Sequence, residues 1–225
     1  MGYEYFYLSW TLFFLLVWVV LFAVRKDLRV EMLFISVLFG FGGILSQQTH
    51  IRDWWQPLTI TNTPLGIEDF LIGFAIGGIA SVIYAVVFWK RNDTKKASLA
   101  FRSSYWFLLS FALLFLGLFY VVGLNSFYAA TISYIVGIAI IVLKRSDLVL
   151  PSIGSGFLML AFGMGTYYAL FLFFPSYIHE FWYLSEGWYS TLVFGVPLGE
   201  YVWYFLTGAF IGPLFEFVQG VRFKS

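Results

Sequence analysis

Long apolar runs, broken by short polar clusters, are the dominant pattern along this chain. They cover about 5–24, 30–48, 66–89, 104–123, 126–143, 149–174 and 198–219. An α-helix needs roughly 20 apolar residues to cross the hydrocarbon core of a bilayer. In lipid every backbone polar group must bond within the protein, so runs of this length predict helices. The expected fold is an all-α polytopic membrane protein with seven transmembrane helices.

The polar clusters differ in sign. Arg25, Lys26 and Arg29 follow the first run, and Lys90, Arg91, Lys95, Lys96 and Arg102 separate the third from the fourth. Lys144 and Arg145 separate the fifth from the sixth, and Arg222 and Lys224 follow the seventh. Seven alternating spans place all of these on one side and leave only Arg52 on the other. Basic residues mark the cytoplasmic side, so the N-terminus is expected outside and the C-terminus in the cytoplasm. The first run does not read as a cleavable signal peptide, because no Lys or Arg precedes it. The basic loop from Lys90 to Lys96 reads as a solvated stretch near anionic headgroups.

The opposite face is acidic: Glu4, Asp53, Glu68, Asp69, Glu180, Glu186 and Glu200 fall there or just inside it. Its two long loops, about 49–63 and 175–197, are aromatic. One carries Trp54 and Trp55; the other carries Phe181, Trp182, Tyr183, Trp188 and Tyr189. Rings at this depth form an interfacial belt, or some of them line an apolar pocket at the membrane surface.

One motif occurs twice. Pro64-Leu65-Gly66-Ile67-Glu68-Asp69 opens the third run, and Pro197-Leu198-Gly199-Glu200-Tyr201 opens the seventh. A histidine and a tryptophan precede each copy: His50 with Trp54, His179 with Trp182. Gly77 and Gly78 correspond roughly to Gly208 and Gly212, and such small residues allow helices to approach closely. The expected organisation is a parallel three-plus-one-plus-three duplication. A first three-helix repeat covers 1–100, a linking helix 101–124 and a second repeat 125–225. Parallel repeats place their site at the repeat interface. Pro213, inside the last run, is expected to bend that helix.

Composition narrows the function. Of the 225 residues 61% are hydrophobic, 23% aromatic and 11% charged, with a formal net charge of +1, and mean hydropathy is +0.86. So small a charge argues against a nucleic-acid partner. The absence of cysteine excludes disulfides and thiolate metal sites, and two histidines are too few for a histidine-rich metal cluster. No phosphate-binding glycine motif is present, so neither cofactor nor metal is expected.

The carboxylates carry the candidate chemistry. A proline ahead of a helix preorganises its first turn, and acids within that turn face the positive end of the helix dipole. Glu68, Asp69 and Glu200 therefore serve either as helix-start carboxylates facing headgroups and water, or as a site. Two carboxylates held together in a low-dielectric place do not both ionise freely, so one acts as general acid and its neighbour as base. Glu216 lies about 24 Å further along the last helix, too far for the same site. It is read as reaching towards Arg222 or Lys224. Gln47 and Gln48 end the second run, as helix caps or as groups reaching into the site. His50 and His179 read as interfacial histidines or as proton shuttles beside the acids.

A Pro-Leu motif with acids, at the head of a span in each of two three-span halves, resembles the heterodimeric-type lycopene cyclases. These occur as paired small subunits in bacteria and as fused chains in archaea and fungi. The resemblance covers nearly the whole chain in topology, but in motif only 64–70 and 197–201. Here the first copy has Gly66-Ile67 between Leu65 and its acids, and Tyr201 stands where a second acid would follow Glu200. The resemblance implies an intramolecular lyase (isomerase) in a prokaryotic plasma membrane. It would close the end of a linear carotenoid or isoprenoid by acid–base chemistry without a cofactor. It makes Glu68, Asp69 and Glu200 the catalytic candidates. The substrate candidates around them are Pro64, Pro197, Tyr201, Trp203, His50, His179, Trp54 and Trp182. The partners implied are an apolar polyene substrate and the lipid bilayer; nothing indicates an oligomeric state.

Two other readings remain open. A transporter similar to the sugar-transporting SWEET family shares the repeat topology, but those proteins carry prolines in the first helix of each repeat, where this chain has none. A non-catalytic isoprenoid- or lipid-binding protein is consistent with the missing second acid. A retinal receptor is disfavoured, because the seventh run has no central lysine.

Overall fold

The computed structural model describes residues 2–90, 92–93, 101–184, 187–220 and 222–223, without the side chains of 92–93, 101–105 and 222–223. Arg91, Lys95, Lys96, Glu186 and Lys224 lie outside the described residues, as do the side chains of Arg102 and Arg222. The chain is mostly helical: α1 (Phe6–Val24), α2 (Arg29–Asp53), α3 (Ile67–Val87), α4 (Phe101–Leu116), α5 (Ser126–Lys144), α6 (Val149–Phe171), α7 (Tyr177–Phe181), α8 (Leu198–Ile211) and α9 (Leu214–Gln219). Among the described residues, four two-residue strands accompany them: β1 (Asn92–Asp93), β2 (Leu192–Val193), β3 (Val196–Pro197) and β4 (Arg222–Phe223).

Among the described residues, 6 helices are long and apolar enough to cross a membrane, with α8 and α9 together forming the last. The expected fourth span, 104–123, differs. Its apolar helix, Trp106–Val121, is shorter than the other six. It finishes in π-helical turns over Gly117–Val121 and stops at Gly123, which adopts φ 78°. Pro213 does break the last span, between α8 and α9.

Helix α1 is apolar on two faces. In α1, Phe6, Trp10, Phe14 and Trp18 recur every fourth residue and are buried. Leu12, Leu16, Val19 and Val20 on the other side are exposed. A soluble helix would be polar there; an apolar outer stripe suits contact with lipid. Aromatic rings pack against one another through the interior, as between Phe6 and Tyr177 (ring centroids 4.4 Å) and between Phe111 and Phe210 (4.3 Å).

Segments of the N-terminal half of the chain (α1–α3) and of its C-terminal half (α5–α9) make matching contacts. After α1, Arg25 forms a forked pair with Asp27 (3.0 and 2.9 Å), and a single 3-10 turn leads into α2. After α5, Arg145 forms the same fork with Asp147 (2.8 and 2.7 Å), and a single 3-10 turn leads into α6. Leu28 and Leu148, one residue past each aspartate, are both 1% exposed. The Asp147 hydrogen bond raises the Arg145 guanidinium above its ordinary range, with Glu216 adding to it. Each arginine also donates to a backbone carbonyl near the end of its half's last helix, Ala85 (2.8 Å) and Glu216 (3.2 Å). β1, after α3, pairs antiparallel with β4, after α9. Gly77 packs against Phe39 and the Ile35 carbonyl of α2, and Gly208 against Met159 and the Ser155 carbonyl of α6.

The halves are also cross-linked. Asp53, at the end of α2, accepts from the backbone N–H (2.9 Å) and hydroxyl of Ser126 (2.5 Å), and so caps α5. Trp10 of α1 donates to Thr166 of α6 at 3.4 Å.

Candidate functional site

α3 and α8 begin differently yet present an acid at the same helical position. Ile67 and Leu198 are their first residues, so Asp69 and Glu200 are both third. The prolines are not the first helical residues that the motif suggests. Pro197 is the N-cap of α8 and ends β3, whereas Pro64 lies in an exposed loop ahead of the cap Gly66. A tight hairpin sets the start of α8: β2 and β3 pair across Phe194 and Gly195, with φ of 50° and 83°. Positive φ at both central residues is the turn geometry that matches strand twist.

Asp69 and Glu200 line one cavity between the halves, in which about 110 Å³ is open to the centres of water-sized groups. A single water needs roughly 10–15 Å³ by this measure, so the cavity takes a larger group. Trp10, Trp55, Trp182, Trp203 and Tyr204 contribute rings to it. Asp69, 1% exposed, accepts from the Tyr7 hydroxyl and from the Gly66 backbone N–H, both at 2.7 Å. Glu200, 6% exposed, accepts from Trp54 Nε1 (2.7 Å), Trp182 Nε1 (2.8 Å) and the Tyr167 hydroxyl (2.8 Å). Indole N–H groups only donate, so these tryptophans hold their acid in a fixed sense.

The loops that follow α2 and α6 pair with each other beside this chamber. Trp55 and Trp182 form an antiparallel bridge, the N–H of Gln56 donates to the carbonyl of Phe181 (2.8 Å), and that of Tyr183 to the carbonyl of Trp54 (2.9 Å). Aromatic contacts then join the acids. Tyr7, bound to Asp69, meets Trp55 edge-on at 5.1 Å, and Trp55 lies 5.0 Å from Trp182, which is bound to Glu200. Tyr177, outside the spans, stacks on Tyr167 at 6.0 Å; burial, with Tyr204 and Glu200 nearby, pushes its phenol well up, so it stays neutral.

The other candidates separate clearly. His50, Trp54, Trp182 and Trp203 line the cavity with the two acids. His50 is helical, because α2 runs on to Asp53, beyond the expected end at 48. Glu68 is fully buried but does not line the cavity; its Oε1 accepts from the backbone N–H of Ile60 at 2.6 Å and so ties down the preceding loop. Gly66 is needed there, since a Cβ would meet Glu68 Oε2 and Thr59. His179 is exposed on α7, and Pro197 is buried outside the cavity. Tyr201 donates to the Val193 carbonyl (2.8 Å) and meets the Tyr168 hydroxyl (3.1 Å), away from the acids.

Sequence reasoning overlooked Tyr7, Tyr167 and Tyr204. Their signal was a phenol inside an apolar run, where a buried hydroxyl needs a partner. It also overlooked Arg25-Lys26-Asp27-Leu28 and Arg145-Ser146-Asp147-Leu148, a second copy of one pattern in each half. Compared with models of protein families, with curated proteins and with solved structures, the chain matches none.

Proposed function

We propose that this chain is a lycopene cyclase-like membrane enzyme that closes the end group of a linear carotenoid or isoprenoid by cofactor-free acid–base chemistry. The observation that carries the reading is the pair Asp69 and Glu200. Each comes from the same helical position of its half, and both line one aromatic cavity. The proposal includes the architecture: seven spans in a parallel three-plus-one-plus-three duplication, N-terminus outside and C-terminus cytoplasmic, in a prokaryotic plasma membrane. The matched arginine–aspartate forks support the duplication.

The chemistry follows from the donors. A carboxyl group delivers a proton to the terminal double bond, leaving a tertiary cation. The neighbouring double bond attacks that cation, a carbon–carbon bond closes the ring, and the charge moves to the far carbon of the attacking bond. A carboxylate then removes a proton beside it. The product has the mass of the substrate, with no net redox change. Three donors converge on Glu200 and complement a carboxylate, which suits it to take up the proton. Asp69 is then the source. The rings of Trp10, Trp55 and Trp182 offer π-faces to the passing cation, and the paired outer loops exclude the water that would quench it. Glu68 takes no part in the reaction.

Expression in a lycopene-accumulating bacterial host tests this. The expected pigment is a ring-bearing product of unchanged mass, lost in Asp69→Asn and Glu200→Gln and retained in Glu68→Gln. Lycopene left intact by a well-inserted wild-type chain would remove lycopene as the substrate.

A further inference from the structure

The cavity wall formed by α2 does not suit a pure hydrocarbon. Gln47 and His50 lie three residues apart on one face of that helix, are 4% and 7% exposed, and both line the cavity. Gln47 Nε2 and His50 Nε2 are each buried without a hydrogen-bond partner. Neighbouring polar groups are satisfied: Ser46 donates to the Gly43 carbonyl at 3.1 Å, and Thr49 to the Ser46 carbonyl at 2.6 Å. Thr207 Oγ1, elsewhere in the cavity lining, is also buried without a partner. The acids are engaged by Tyr7, Tyr167, Trp54 and Trp182. Among the described residues, Gln47 Nε2 and His50 Nε2 are the unmatched buried side-chain nitrogens, and both stand on α2.

Buried polar groups in folded proteins are almost always paired. An amide N–H₂ seeks an acceptor, and a neutral imidazole nitrogen pairs with a hydroxyl as donor or acceptor. A neutral oxygen answers both, and the surrounding rings select an apolar body. We infer that this wall is a subsite for a hydroxyl or carbonyl oxygen, so that the site prefers an oxygenated linear isoprenoid to the matching hydrocarbon. This rests on the reading of the cavity as an isoprenoid site and names the substrate class within it. A site built to hydrogen-bond a group discriminates strongly against the analogue that lacks it.

The test uses the full chain in detergent micelles, titrated with geranylgeraniol and with the matching C20 hydrocarbon lacking the hydroxyl. Emission from Trp10, Trp54 and Trp182 in the cavity reports occupancy. The alcohol is expected to bind about tenfold tighter or more. Gln47→Met and His50→Phe are expected to bring that ratio towards one without loss of hydrocarbon affinity. Equal wild-type affinities would overturn the subsite and assign the wall to ordered water; so would a ratio unchanged in both variants. If a variant fails to insert, the wild-type ratio alone decides. A tenfold ratio without ring closure in the lycopene host leaves the subsite standing and removes the reaction. Ring closure with a ratio of one does the reverse.

Discussion

The two acids occupy the same helical position but are held in opposite ways. Asp69 is served from nearby: the Gly66 N–H of its own cap and Tyr7 of the packed helix α1. Glu200 is served from afar, by Tyr167 of α6, Trp182 of the second loop and Trp54 at the end of α2. Only Glu200 draws on both halves. Asp69 therefore belongs to its half, whereas Glu200 depends on how the halves meet. The helix packing beneath them differs as well. Gly73, one turn below Asp69, lets α3 touch the backbone of α2 at Gly43, while Tyr204, one turn below Glu200, fills the space against Gly163. Helices that present an acid at the same position need not hold it by the same kind of contact.

This contrast is open to attack. The largest effect is expected from Glu200→Leu, which strands three buried donors at about 1–3 kcal/mol each. Thermal unfolding in detergent should show a loss of several kcal/mol, and proteolysis should reveal separated outer loops; a near-native melting temperature would mean that Glu200 does not join the halves. Next comes the arginine pair. Arg25 is 5% exposed at its side chain and also binds the carbonyls of Ala85 and Lys90, so Arg25→Ala should cost about 1.5–3 kcal/mol. Arg145, 18% exposed in a pair whose Asp147 is 42% exposed, should cost about 1 kcal/mol or less. Equal losses would argue that the two forks are equivalent. Asp69→Asn keeps much of the local capping geometry and should cost about 1 kcal/mol in melting while abolishing turnover. Glu68→Gln should have the smallest effect, under about 1 kcal/mol in stability with turnover retained. Loss of turnover there would return Glu68 to the chemistry.

Glu68 and Asp69 show where reading the chain stops. Both are acidic, adjacent and at a helix start, so nothing local separates them. One step along a helix turns a side chain by about 100°, and packing against α1 and α2 then puts Asp69 into the cavity and Glu68 against Ile60. His50 and His179 look equivalent in sequence, but α2 continues through Gln47, Gln48 and Thr49 and carries His50 into the cavity, while the short α7 leaves His179 exposed. The aromatic loops were visible as composition. Their pairing at Trp55 and Trp182 was not, because it joins segments far apart in the chain and leaves no local periodicity.

By itself the sequence determined the properties that depend on a residue and its near neighbours. Apolar run length specifies helices fit for a bilayer, the duplicated Pro-Leu-Gly motif marks two helix starts that carry acids, and Pro213 breaks the last helix. Tertiary structure alone decided which acid of the first motif faces the cavity, which rings surround it, and that Gln47 and His50 stand there with nitrogens unmatched. Those outcomes depend on helix rotation and on contacts such as that of Trp54 with Glu200, which are set by packing between segments distant in the chain rather than by local spacing.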